Sequence, residues 1–261
     1  MEESEVAEAL YEVRGLTKRY GERVILDHLD FEVLRGECLV VLGRSGSGKS
    51  VTLRQLDGLE APDEGSIVFD GTEIAGLPER ELYPLRRRVA MLFQSGALFD
   101  SMSVFDNVAF PLRQHTDGSP EEIAAKVREK LGLVRLKGVE DKAPSDLSGG
   151  MKKRVALARS LALDPEVMLF DEPTTGLDPV TSATIGTLIR SIQSDLGVTS
   201  VVVTHDLPLA EKVGDRLVFL SGGHFGFVGD WQAARAEKDN ELAGFLAGRE
   251  EQEEDQEGAD A

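Results

Sequence analysis

The nine residues "LGRSGSGKS", 42 to 50, set three glycines, three serines and a lysine between an apolar run and a helical one. They fit G-x-x-x-x-G-K-[ST] through Gly43, Gly48, Lys49 and Ser50, with Arg44, Ser45, Gly46 and Ser47 inside the loop and Val51 just after it. The chemistry such a loop can do is to hold phosphate. Its glycines let the backbone curl until several N–H groups point at phosphate oxygens. The helix that follows adds partial positive charge at its N-terminus, and Lys49 reaches the β and γ phosphates. Ser50 offers a hydroxyl to Mg²⁺. The Lys-Ser ending and the spacing are wrong for a dinucleotide fingerprint.

A second group of reactive residues closes "VMLFDEP", 167 to 173, a buried strand ending in two acids. Asp171 is placed to hold Mg²⁺ through its water shell, as the second motif of phosphate-loop proteins does. Glu172 is one residue on, and strand alternation turns it to the other face, toward an attacking water. A carboxylate there is the candidate general base. A third group opens "DLSGGMKKRVALARS", 146 to 160. Ser148 is a good N-cap, and Gly149 and Gly150 leave backbone N–H groups uncovered, which makes a second anion cradle. Lys152, Lys153 and Arg154 either add attraction for phosphate or are simply solvated. One nucleotide does not need two helix-end cradles from one subunit, so the second is expected to serve a nucleotide bound to another copy.

The elements that must position these residues alternate in type. "YEVRGLTKRY", "RVILDHLDFEVL" and "GSIVFDG" have the turn-punctuated alternation of an antiparallel sheet. "ECLVVLG", "VAMLFQ", "EVMLFDE", "TSVVVTHD" and "DRLVFLSGG" are short apolar runs suited to buried parallel strands. From about 96 to 162 strand signals are few, and "SPEEIAAKVREKLGLV" begins as a helix at Ser119, Pro120 and Glu122. The expectation is an α/β core with an antiparallel sheet on one side and a helical insertion.

The net charge of −18 includes four acids in the first nine residues, and seven acids with Arg249 in residues 249–261. Both ends read as solvated, disordered tails around a folded body of residues 10–248. The remaining acidic balance argues against nucleic acid, which needs a basic footprint, and against direct adhesion to an anionic membrane. Any work at a membrane must pass through another protein. Cys38 is the lone cysteine, which excludes an internal disulfide and suits a reducing compartment. No signal peptide and no membrane-spanning run is visible, so a cytosolic protein is expected. His28, His115 and His224 form no ligand spacing, and no metal beyond Mg²⁺ is expected.

"LSGGM" resembles the signature sequence of ABC transporter ATPases, usually written LSGGQ, and the resemblance runs over roughly residues 10–230. It implies a RecA-like P-loop NTPase core with an antiparallel β subdomain and an inserted α-helical subdomain at about 96–162. It implies ATP and Mg²⁺ as cofactors, and a homodimer that sandwiches two ATP molecules head to tail. Tyr20, in "KRYGERVIL", is similar to the aromatic that stacks on adenine. Gln94, in "MLFQ", is similar to the glutamine that senses Mg²⁺ and water and links to the membrane subunit. Asp178, in "TTGLDP", is similar to the loop aspartate that communicates across the dimer. His205, ending "SVVVTH", is similar to the histidine on the γ-phosphate. Met151 replaces the family's glutamine but leaves the serine and glycines intact.

The segment "MLFQSGALFDSMSVFDNVAFPLRQHT", 91 to 116, together with the methionine-bearing signature, resembles the ATPases of Mla-type, Mce-associated lipid transport systems. That implies integral membrane permease subunits, a lipid-binding Mce-domain partner outside the membrane, and a peripheral place on the cytoplasmic face of the inner membrane. The departure is at the end, where "NELAGFLAG" gives way to "REEQEEDQEGADA", a run unsuited to burial against a neighbour. The alternatives are another ABC importer, a lipoprotein-releasing system, or an ATP-driven membrane signalling scaffold that transports nothing.

Overall fold

A computed structural model describes residues 8–238 and 241–248. The acidic runs 1–7 and 249–261, expected to be solvated tails, lie outside the described residues. Glu8 and Ala9, expected in the first tail, do not: the Glu8 carbonyl accepts from the Arg35 N–H at 2.9 Å, and β1 begins at Ala9.

In chain order the regular elements are β1 (Ala9–Tyr20), β2 (Arg23–Leu34), β3 (Cys38–Leu42), α1 (Lys49–Leu56), β4 (Glu64–Phe69), β5 (Thr72–Glu73), α2 (Glu79–Arg88), β6 (Val89–Leu92), α3 (Val104–His115) and α4 (Pro120–Leu133). There follow α5 (Gly149–Ser160), β7 (Val167–Asp171), α6 (Pro179–Leu196), β8 (Thr199–Thr204), α7 (Leu207–Val213), β9 (Arg216–Ser221), β10 (His224–Gly229), α8 (Trp231–Ala236) and α9 (Glu241–Leu246). Strands β2-β1-β4-β5 form an antiparallel sheet, and β10-β9-β3-β8-β7-β6 form the second. The five apolar runs expected to be parallel are β3 and β6 to β9, and all pair in parallel. The glycine-interrupted run "HFGFVG" adds β10 antiparallel on β9, an edge strand the sequence reading did not anticipate.

Continuous apolar runs suit strands that are covered on both faces. Along β3, Cys38, Val40 and Leu42 face one core and Leu39 and Val41 the other. Met168 and Phe170 of β7 share the first core, Val167 and Leu169 the second. The first core is covered by α3 to α7, and the second by α1 and the antiparallel sheet. Between β6 and β7 the described chain holds helices and no strand. Among them, α4 starts with the anticipated capping box of Ser119 and Glu122. Buried Asn107 donates to the carbonyls of Phe99, Met102 and Ser103 and accepts the Phe99 N–H, which knits the loop before α3. No helix among the described residues is long and apolar enough to cross a membrane.

Parallel register sets where the chemistry falls. Leu42 pairs with Thr204, Asp171 with Val203 and Leu92 with Phe170, so β3, β8, β7 and β6 all end at one edge of the sheet. Ligands of open α/β sheets bind at such carboxyl ends.

Candidate functional site

At that edge an open cavity of about 510 Å³ is lined by Tyr20, Ser45, Gly46, Gly48, Lys49, Ser50, Val51, Gln94, Glu172 and His205, together with Arg23, Ile25 and Thr175. Residues spread over 185 positions of chain thus meet in one crevice. Arg23, Ile25 and Thr175 were not anticipated. The first two follow the Tyr20 turn in β2, and Thr175 follows Glu172, so adjacency to motif residues was the available signal.

The phosphate loop joins β3 to α1. Gly48 caps α1 with φ +104°, and a Cβ there would lie 2.7 Å from the Leu26 side chain. Gly43 cannot carry a Cβ either, because the Leu220 carbonyl oxygen would be 2.4 Å from it. Gly43, Arg44 and Ser47 shape the loop without lining the cavity; Arg44 and Ser47 line an adjoining cleft that shares Arg23, Ile25, Ser45 and Gly46 with it. The Lys49 ammonium donates to the carbonyls of Gly43 and Arg44, each at 2.8 Å, and lies 3.4 Å from Glu172 Oε1. Burial holds the Lys49 pKa below its ordinary value, while Glu172 opposes that shift.

Ser50 Oγ donates to Asp171 Oδ1 at 2.7 Å. Burial raises the Asp171 carboxyl above the usual range, with the Ser50 bond working the other way. A hydroxyl and a buried carboxylate in contact are hard oxygen donors, and a divalent cation would stabilise the charged form that burial penalises. The residues therefore fit Mg²⁺, with the exposed Gln94 side chain on the same cavity.

Glu172 reaches the cavity for a different reason than strand alternation. β7 ends at Asp171, and Glu172 adopts φ +45°, a left-handed conformation rare for a residue with a Cβ. Its N–H donates to the Val203 carbonyl at 3.0 Å, and its carbonyl accepts from Thr175 N–H at 3.2 Å, which hold the kink. The carboxylate then has His205 Nδ1 at 2.9 Å and the Thr175 and Thr204 hydroxyls each at 3.4 Å from Oε2. Tyr20, the last residue of β1, is 45 % exposed, and its hydroxyl donates to Glu60 Oε2 at 2.5 Å. Burial and that carboxylate raise the phenol pKa. Its ring borders the cavity, with the Lys18 ammonium 5.9 Å from the ring centroid.

Ser148, Gly149, Gly150 and Asp178 do not line this cavity. Ser148 caps α5, accepting the Met151 N–H at 3.3 Å, with its side chain at the surface. Asp178 caps α6 by accepting from the N–H groups of Val180 and Thr181 at 3.0 Å and the Thr181 hydroxyl at 2.5 Å. Gly150 packs on that capped turn so closely that a Cβ would lie 2.4 Å from Thr181 Cγ2. The basic residues after the signature do not gather at a phosphate cradle. Lys153 is buried and donates to the Gln94 carbonyl, and Arg154 donates to the Arg135 carbonyl at 3.3 Å.

A family model described as "ABC transporter" matches residues 26–175. A "Probable ribonucleotide transport ATP-binding protein mkl" of Mycobacterium leprae is 44% identical over 91% of this chain and 69% of its own length. The "Intermembrane phospholipid transport system ATP-binding protein MlaF" of Escherichia coli K12 is 43% identical over 92% of this chain and 89% of its own. Among solved structures, a dimeric post-hydrolysis ATP-binding cassette, MJ0796 bound to ADP and Pi, superposes with a TM-score of 0.78 at 32% identity, covering 84% of this chain and 98% of that one.

Proposed function

The chain belongs to the ABC transporter family and is an ATPase, and we propose that two copies close head to tail over two ATP molecules to drive phospholipid through a membrane permease. The observation that carries this reading is the cavity where Tyr20, the phosphate loop, Gln94, Glu172 and His205 converge. Tyr20 takes the base, and Lys49 with the loop N–H groups takes the β and γ phosphates. Ser50, Asp171 and Gln94 hold Mg²⁺, which when bound neutralises charge on those phosphates. Glu172 accepts the proton of the attacking water, with His205 keeping its carboxylate in place. Ser148, Gly149 and Gly150 lie outside the cavity, which suits a cradle for the γ-phosphate held by the second copy, and Asp178 beside them answers across the interface. Closure excludes water and completes the charge-stabilising shell, so hydrolysis and movement are coupled.

The cargo rests on resemblance. Relatives of nearly equal identity carry different names, phospholipid in one and ribonucleotide in the other. Phospholipid is favoured by residues 91–116 and the methionine-bearing signature, which resemble the ATPases of Mla-type lipid transport systems. The exposed Phe93, Phe99 and Phe110, around the loop that Asn107 organises, suit contact with permease subunits on the cytoplasmic face of the inner membrane. An Mce-domain lipid-binding protein completes the proposed assembly.

The test is to purify Glu172→Gln from its own membranes in mild detergent with ATP and identify the proteins and lipids that come with it. A dimer bound to a permease, an Mce-domain protein and phospholipid is expected. A permease with a different receptor and no lipid would overturn the cargo, and a protein that stays monomeric with ATP would overturn the closed dimer.

A further inference from the structure

The helix that carries Ser148 also grips the loop that carries Gln94. Three side chains of α5 donate to main-chain carbonyls of β6 and the loop after it: Lys153 Nζ to Gln94, Arg159 Nη2 to Gly96 at 3.0 Å, and Ser160 Oγ to Met91, within β6, at 3.3 Å. Lys153, Ala156 and Ser160 fall at i, i+3 and i+7 and so share one face of the helix. Gly96 fits beneath that face with φ +75°, where a Cβ would meet the Ala156 Cβ at 3.3 Å. Arg159 also lies over the Phe99 ring at 5.4 Å, which fastens the far end of the loop.

Lys153 is the unexpected member. The residue is 6 % exposed, yet among the described residues the Gln94 carbonyl is the one acceptor its ammonium bonds. Burying a cation with a single hydrogen-bond partner is costly, and an apolar side chain would fill the space more cheaply. Burial accordingly pulls the Lys153 pKa down, and the attraction that opposes this comes from Asp171 and Glu172. A costly cation is therefore set between the signature helix and the Gln94 main chain, within electrostatic reach of the two carboxylates of the site.

We propose that Lys153 is a positioning residue that fixes the Gln94 main chain to α5, so that the signature end of the helix and Gln94 move as one body. Along α5, Lys153 lies about 7.5 Å from Ser148 at 1.5 Å per residue. When Ser148 engages the nucleotide of a second copy, Lys153 carries Gln94 toward the nucleotide of its own copy. Occupancy across the interface is thereby reported to the hydrolytic site. This rests on the reading that Ser148 and Gly150 face a second copy.

Two variants of the full chain test it. Lys153→Met keeps the length and removes donor and charge; Lys153→Gln keeps an N–H donor without the charge. In nucleotide-free protein the Gly96 amide, which bonds the Phe93 carbonyl at 2.9 Å, reports the loop directly. Its hydrogen exchange should rise about tenfold in Lys153→Met, as expected for a lost charged hydrogen bond, and return toward wild type in Lys153→Gln. With ATP and Mg²⁺, Lys153→Met should lower kcat about tenfold while KM stays within about twofold, since the phosphate loop is untouched. Lys153→Gln should recover most of that loss. Unchanged Gly96 exchange in Lys153→Met, or wild-type kcat, overturns the proposal. Equal losses in both variants together with equal drops in melting temperature assign Lys153 to packing and also overturn it. Failure of the Glu172→Gln protein to dimerise with ATP would remove the link across the interface, whereas the exchange result stands within one copy.

Discussion

Glu172 is held on both oxygens, by Lys49 at 3.4 Å on one and His205 at 2.9 Å on the other, from a backbone at φ +45°. A left-handed glutamate survives there because its N–H and carbonyl are both bonded, so the strain aims the carboxylate out of the sheet. Glu172→Gln preserves the shape and removes the proton acceptor. Its kcat should fall about 10² to 10⁴-fold, the usual worth of a general base, with ATP affinity retained. Single-turnover hydrolysis beside equilibrium binding of a fluorescent ATP analogue checks both halves, and a mere twofold loss of rate would remove Glu172 from that role. Lys49→Ala should act on binding instead. Losing a cation that faces phosphate weakens ATP by about 10 to 100-fold, from the 1.5–3 kcal/mol of a charged hydrogen bond. The same binding measurement decides it. These residues were legible because each motif names its chemistry at fixed spacing. Lys153 was not: its partner is 59 positions away, and helical periodicity marks a face as buried without saying what covers it.

At the scale of elements, the parallel strands were legible because a five-residue run buried on both faces leaves few other readings. The antiparallel strands β1, β2 and β4 were legible from alternation and turns. The strand β10 was missed because glycines interrupt its alternation, and α2 because Pro84 sits inside it. The contact between α5 and α6 was also hidden, since no local pattern announces that Gly150 must be bare. It follows from Thr181 Cγ2, 2.4 Å from where a Cβ would stand. Gly150→Ala should therefore push the signature end of α5 off the capped turn of α6, destabilising the chain by about 1–3 kcal/mol, the cost of overpacking. Thr181→Ser in the same chain removes the offending methyl while keeping the hydroxyl that Asp178 accepts. Urea titrations of the single and double variants should show stability lost in the first and largely regained in the second. Loss without recovery would place the strain elsewhere.

On the scale of the whole molecule, the helix that begins with Lys49 and Ser50 ends where it is tied to the antiparallel sheet and to α2. Tyr11 of β1 donates its hydroxyl to the Leu56 carbonyl at 3.0 Å, and Arg86 of α2 donates to the carbonyls of Asp57 and Gly58 at 3.4 and 2.9 Å. Asp57 closes this joint, its carboxylate accepting the Leu59 N–H at 2.9 Å while only 6 % of the residue is exposed. Burial pushes the Asp57 carboxyl up to about 7, against the pull of that N–H and of Arg86 and Arg54. A carboxyl raised in the folded state binds its proton more tightly there than in the unfolded chain, whose value is about 3.9. Between those two values the unfolded state gains on the native one as pH rises, so this group costs stability progressively from about pH 4 to about pH 7. The slope it contributes approaches 1.4 kcal/mol per pH unit, or about 2.303RT per proton. Asp57→Asn keeps an oxygen for the Leu59 N–H and has nothing to titrate. The difference in unfolding free energy, variant minus wild type, should be smallest near pH 4, grow with pH, and level off above about pH 7. Taking the difference cancels the carboxylates that Arg partners hold low, such as Asp70 beside Arg88, whose slope has the opposite sign. A difference that stays flat from pH 4 to 8 would mean that Asp57 is charged throughout, and that the joint of α1 with β1 and α2 is held by its arginines against a full buried charge.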